Sequence, residues 1–200
     1  MVDKFEKWRF RNDGGTIMEA DLELWGGLKG QQVIAAEHAI GAIGTLSAPK
    51  TSRVTIDGVI IKTILIDLDG LAVLGTSAKD AIGLLGLKSA IGKYVIATDG
   101  VCFKVEMTCI VAPTQETTTI TQDIDLGADG DDTIVQGGDA IDDIIINTST
   151  LVVTEQATKL TPALTDLDSI FLIEGDTTAS TGEYAGGQFM IKFYGIPVIT

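Results

Sequence analysis

Along most of the chain apolar and polar residues alternate, or apolar residues gather in short blocks cut by Gly, Asp and Pro; helical periodicity is rare. Ser52-Arg-Val-Thr-Ile-Asp-Gly58 alternates and ends on Asp-Gly, a two-residue hairpin signal, and the β-branched run Val59–Ile66 follows it. A hairpin is therefore predicted over 52–66. Tyr94–Thr98, Asp99-Gly100 and Val101–Val111 read as a second hairpin on the same dipeptide signal. Alternation in its second strand sets Phe103, Val105 and Met107 on one face and Cys102, Lys104, Glu106 and Thr108 on the other, with Pro113 ending the strand. Ile120–Leu126, Ile144–Ile146 and Thr150–Thr154 read as further β segments, Ser169–Ile173 as a buried strand and Gln188–Tyr194 as the closing strand. Gly/Asp-rich 127–143 and polar 175–187 read as loops. Helical signals are confined to Gln32–Ile40 and to a short stretch that Ser77 caps and Gly86 closes.

These elements predict a mainly β fold: a compact antiparallel β-sandwich or barrel with one or two short helices and an N-terminal arm. Residues 1–60 divide off as the arm and a small α/β subdomain, and 61–200 as the β domain. Thr16–Trp25 half-alternates like an edge strand. Met1–Arg11 has no core pattern of its own. Its Lys4, Phe5, Trp8, Arg9, Phe10 and Arg11, with Trp25 further on, have the composition of a partner-binding anchor.

Charge sharpens the picture. The 200 residues carry a formal net charge of −14. Between Gln115 and Tyr184 there are 15 Asp/Glu and a single base, Lys159, whereas residues 1–114 hold 13 acids and 12 bases. The acidic part repels phosphate backbones, which argues against nucleic-acid binding and suits a solvent-facing surface. The near-neutral part is the better place for a protein partner. The longest apolar stretches are far below the ~20 residues of a membrane helix, and polar Met1–Gly14 lacks the pattern of a secretory signal. No membrane association is expected.

Candidate chemistry is sparse. Cys102 and Cys109 are separated by an odd number of strand positions, hence on opposite faces, and read as two free, buried thiols. The single histidine, His38, has no matching nucleophile motif. Gly127-Ala-Asp-Gly-Asp-Asp-Thr-Ile-Val135 partly matches the calcium nonapeptide of β-rolls, but the imperfect second copy is offset by ten residues and a roll needs several stacked repeats. No metal is expected; Asp129, Asp131 and Asp132 are the weak candidates for an isolated cation site. No nucleophile elbow, P-loop, zinc-protease helix or dinucleotide fingerprint occurs, so neither an enzyme nor a cofactor is expected.

Ser77-Ala-Lys-Asp-Ala-Ile-Gly-Leu-Leu85, Gly92-Lys-Tyr-Val-Ile-Ala-Thr-Asp-Gly100 running into Phe103-Lys-Val-Glu-Met-Thr-Cys109, Pro113-Thr114, Asp123-Ile-Asp-Leu126 and Tyr184-Ala-Gly-Gly-Gln-Phe-Met-Ile-Lys-Phe-Tyr-Gly195 follow one another in a characteristic order. Over about residues 63 to 196 this succession resembles the capsid decoration (cement) proteins of tailed bacteriophages. The resemblance implies a structural virion protein, without enzymatic activity, assembled in the host cytoplasm. It would attach to the major capsid protein on the outer capsid surface and stabilise the lattice. Self-association as a trimer or dimer is the default for such a unit. The alternatives are another virion subunit, from tail tube or fibre, and a calcium-binding β module.

Overall fold

The computed structural model describes residues 32–34 (backbone only), 49–75, 79–84, 86–116, 123–136, 141, 143–148, 153–175 and 181–198. The anchor residues Lys4, Phe5, Trp8, Arg9, Phe10, Arg11 and Trp25, and His38, lie outside them. The predicted 52–66 hairpin is present as β2 (Lys50–Ile56) and β3 (Val59–Asp67). Asp57 and Gly58 both take positive φ (50° and 81°), the turn geometry whose twist matches the strands. The domain boundary placed at residue 60 falls inside this hairpin.

Two antiparallel sheets form a sandwich-like fold, as the alternation predicts. The larger has the order β1 (Gln32–Ile34), β2, β3, β11 (Thr181–Ile196), β6 (Val101–Gln115), β9 (Gln156–Leu160), with β4 (Ala72–Leu74) pairing on the first residues of β11. The smaller runs β5 (Gly92–Lys93), β10 (Ser169–Glu174), β7 (Ile124–Asp129), β8 (Asp143–Ile146). Between them lies one core: Ile64 and Ile66 of β3, Phe189, Ile191 and Phe193 of β11, and Val105, Met107 and Cys109 of β6 face Ile124, Leu126, Ile170 and Leu172 of the small sheet. A second cluster, with Ala81, Ala90, Ile134 and Ile141, covers Phe171 and Ile173 on the far face of β10. All of β10 is therefore buried, which explains its unbroken apolar run.

Several local expectations give way to tertiary contacts. Asp99-Gly100 does not turn a hairpin. Ile96–Asp99 is one turn of helix, α1, ahead of β6. Asp99 is drawn inward. Arg53 donates to its Oδ1 from Nε at 2.8 Å and from a terminal guanidinium nitrogen at 2.5 Å. Lys62 Nζ reaches Oδ2 at 3.0 Å, and the Val95 N–H donates to the same oxygen at 2.9 Å. Lys62 also donates to the Lys93 carbonyl. This node ties the β2–β3 hairpin to the start of β6 from inside.

A bulge between Tyr194 and Gly195 of β11 changes the parity of β6: Lys104 opposes Tyr194 while Cys102 opposes Gly195, leaving Phe103 extra. Cys102 consequently packs against the core, and the Phe103 ring meets Tyr194, with centroids 6.3 Å apart. Both cysteines are free, yet they share the core side rather than facing opposite ways. Pro113 does not end β6. A register shift leaves it and Gly187 outside the ladder, where a missing N–H costs nothing. The loop expected over 175–187 is strand from Thr181, and the one over 127–143 is strand through Asp129. In the predicted Ser77–Gly86 helix, Ala81 and Gly83 instead make bridges to Ile173 and Ala72, and Gln32–Ile34 is strand.

Candidate interaction face

The registers align the outward side chains of the large sheet in rows across five strands. Val54, Ile61, Tyr194, Lys104 and Leu160 form one row; Ser52, Thr63, Lys192, Glu106 and Thr158 the next; Lys50, Leu65, Met190, Thr108 and Gln156 the third. Each alternates with a neighbour directed to the other face, so the parity that builds the core also builds this surface. The face is half-exposed and partly apolar: Leu65 is 40% and Leu160 64% exposed.

At its centre the polar groups hold one another. Lys104 Nζ sits 3.8 Å above the Tyr194 ring and 2.9 Å from Glu106 Oε1, and the Tyr194 hydroxyl donates to Glu106 Oε2 at 2.5 Å. Burial foremost, then the Glu106 hydrogen bond, pushes the Tyr194 phenol up to about 12. Burial pulls Glu106 upward, but Tyr194, Lys104 and the Lys192 charge outweigh it and hold the carboxyl below its ordinary value. At neutral pH this is a fixed arrangement of ammonium, carboxylate and neutral phenol. Such pre-ordering lowers the entropy lost when a partner docks. The rows hold Lys50, Lys104 and Lys192 against Glu106 alone, in a chain of net charge −14.

The acidic side is organised differently. Asp129 Oδ1 accepts the Asp131 N–H (2.7 Å), Asp131 Oδ1 accepts both the N–H and hydroxyl of Thr133 (2.7 Å each), and Asp132 pairs with Lys88 at 3.1 Å. The Thr133 hydroxyl, then its N–H, holds the Asp131 carboxyl below its ordinary value. Asp129 and Asp131 thus stabilise their own turns, and Asp132 pairs with Lys88 instead. Among the described residues no group of three or more His, Cys, Asp or Glu is placed to hold a metal ion.

Deeper in, Asp125 of β7 is fully buried. Thr148 donates its N–H to Oδ1 at 2.6 Å and Asn147 its amide to Oδ2 at 3.2 Å. Burial, with the Asp123 charge adding to it, nevertheless pushes Asp125 from 3.8 up to about 6, against the Thr148 bonds and the Lys79 charge. Between these values the folded chain binds a proton that the unfolded chain does not. The group's stabilisation is full below about pH 4 and lost as pH rises through about 6. Asp125→Asn stays neutral and keeps an oxygen for Thr148. It is expected to raise the melting temperature by about 2–8 °C at pH 8, for about 1–2 kcal/mol, and to change little at pH 4. Paired thermal melts check this; an equal gain at both pH values would contradict it.

The outer rows were accessible to sequence reasoning only through the alternation of β3, β6 and β11. β9, which completes them, is not legible in the sequence, because Gln-Ala-Thr-Lys-Leu offers no strong β signal. Comparison with protein-family models, with curated proteins and with solved structures finds no match for the chain.

Proposed function

We propose that this chain is a structural virion protein that binds the outer surface of a phage capsid lattice and stabilises it. The observation that carries the reading is the broad, half-exposed outer face of the large sheet, with apolar Ile61, Leu65, Met190, Tyr194 and Leu160 set among Lys50, Lys104 and Lys192. A broad, pre-ordered, mixed surface of this kind suits docking on another folded protein rather than enclosing a small molecule. The acidic turns around Asp129–Asp132 are then left to water, which keeps a densely decorated particle soluble. The likeness of segments 63–196 to decoration proteins supports the same reading, and basic, aromatic Lys4–Arg11 supplies a second contact. Weak contacts repeated over a symmetric lattice give tight attachment through avidity.

Cryo-EM of particles bearing the protein tests this. Density over capsomer junctions, with the large sheet turned inward, is the expected result. Density along a tail would assign it to the tail tube or fibre instead. Lys104→Glu with Lys192→Glu is expected to lower capsid occupancy by about tenfold at low salt, because two attractions become repulsions. Unchanged occupancy would remove this face from the interface.

A further inference from the structure

β9 is the last strand of the large sheet: β6 pairs on one side of it, and no described strand pairs on the other. Its hydrogen-bond parity is fixed by the bonds at its ends. The Thr161 N–H donates to the Phe103 carbonyl at 2.8 Å, and the Cys109 N–H to the Glu155 carbonyl at 3.1 Å. The register is continuous over Gln156–Leu160, so residues 157 and 159 direct their backbone groups to β6, as do the Thr161 N–H and the Glu155 carbonyl; beyond Gln156 it is the Thr154 N–H that donates to the Cys109 carbonyl, at 2.8 Å. Gln156, Thr158 and Leu160 turn theirs to the open side, and all three residues are exposed.

We infer that β9 is a self-pairing edge, joining two copies of this chain antiparallel about a two-fold axis through Ala157. This register is one of those the parity allows, since it sets Gln156 against the partner's Thr158 as hydrogen-bonded pairs. It also places Glu155 opposite the partner's Lys159, and Lys159 opposite the partner's Glu155. These fall at non-hydrogen-bonded positions, where cross-strand side chains approach most closely. The strand is thus complementary in charge to its own reverse. Lys159 is the only base between Gln115 and Tyr184, and it stands where this pairing needs one. A lysine on an open edge discourages indiscriminate strand pairing; here it admits a partner that brings a carboxylate to the facing position. The two large sheets become one continuous sheet. The inference does not depend on the capsid reading, since it concerns the free protein.

Sedimentation velocity of the full chain from about 5 to 500 µM tests it through the mass-action rise of a dimer. Glu155→Lys and Lys159→Glu each put like charges at both facing positions. Each is expected to weaken the dimer by about tenfold or more at low salt, and less at high salt. An equimolar mixture of the two variants restores opposite charges at both positions and should dimerise like the parent, as should the double variant Glu155→Lys/Lys159→Glu. Circular dichroism and thermal melting establish that each variant is folded. A parent monomeric throughout, an oligomer insensitive to both single changes, or a mixture that stays monomeric would each overturn the pairing. Loss of capsid binding with an intact dimer would count against the proposed function alone.

Discussion

Replacing Asp99 with alanine is expected to lower the melting temperature by about 10 °C or more. Asp99 is fully buried, Lys62 is 2% exposed, and Arg53 reaches the same carboxylate from β2. Removing the anion leaves two cations enclosed beside each other, and breaking one partner of a buried ionic group costs about 3–5 kcal/mol. For a domain of this size each kcal/mol shifts the melting temperature by about 2–4 °C. The carboxylate also accepts the Val95 N–H, so the entry to α1 is left with the Asp166 carboxylate on the Ile96 N–H. Lys62→Met provides the contrast. Its thioether chain fills much of the lysine's volume, and Arg53 still neutralises Asp99, so the expected loss is about 1–2 kcal/mol. Thermal and urea unfolding of both variants distinguish the cases. A loss below about 1 kcal/mol for Asp99→Ala would mean that the node behaves as an exposed surface pair.

The same node explains how far the sequence is legible. Asp57-Gly58 and Asp99-Gly100 are the same dipeptide between β-prone segments. The first forms the predicted tight turn, and its Asp57 side chain stays exposed. The second does not, because Arg53 and Lys62, far earlier in the chain, pull Asp99 into the interior. A local turn preference is worth less than neutralising two inward-facing cations. Strands with a strong apolar period, such as β3 and β10, are readable because burial on one or both faces dictates their composition. β11 is read only in its second half. Its first residues, rich in glycine, are held extended by pairing with β4 and β6 rather than by their own propensity. Parity along β6 is legible up to the bulge at Cys102 and Phe103, which depends on the partner strand and leaves no mark in the sequence of β6. The candidate face inherits these limits: its side chains follow from alternation, but their alignment into rows follows from registers that only the assembled sheet specifies.

That bulge is the site of the second large effect. Gly195 lies where β11 passes against the end of α1, and a Cβ there would overlap the Asp99 carbonyl oxygen, with the Asp99 carbonyl carbon at 2.9 Å and the Tyr94 hydroxyl at 3.0 Å. Gly100 reciprocates: its φ is +78°, and a Cβ would lie 2.6 Å from the Ile196 carbonyl oxygen. Backbone faces backbone, so neither strand has a flexible side chain to move aside. Tyr94 closes the junction by donating its hydroxyl to the Gly100 carbonyl at 2.9 Å, with its ring 5.5 Å from that of Phe193. Relief of the overlap must displace α1 or β11, and either movement disturbs the Arg53–Asp99–Lys62 node and the Cys102 side of the core together. Gly195→Ala is therefore expected to cost about 3 kcal/mol or more, the upper range for overpacking, and to lower the melting temperature by about 6–12 °C. Gly130→Ala is the matched control, because a Cβ there has nothing within 4 Å. It should be neutral within about 0.5 kcal/mol. Equal melting of the two variants would show that the α1–β11 junction can open without cost to the core, whereas a large loss confined to Gly195→Ala makes close backbone contact the reason that glycine occupies the bulge.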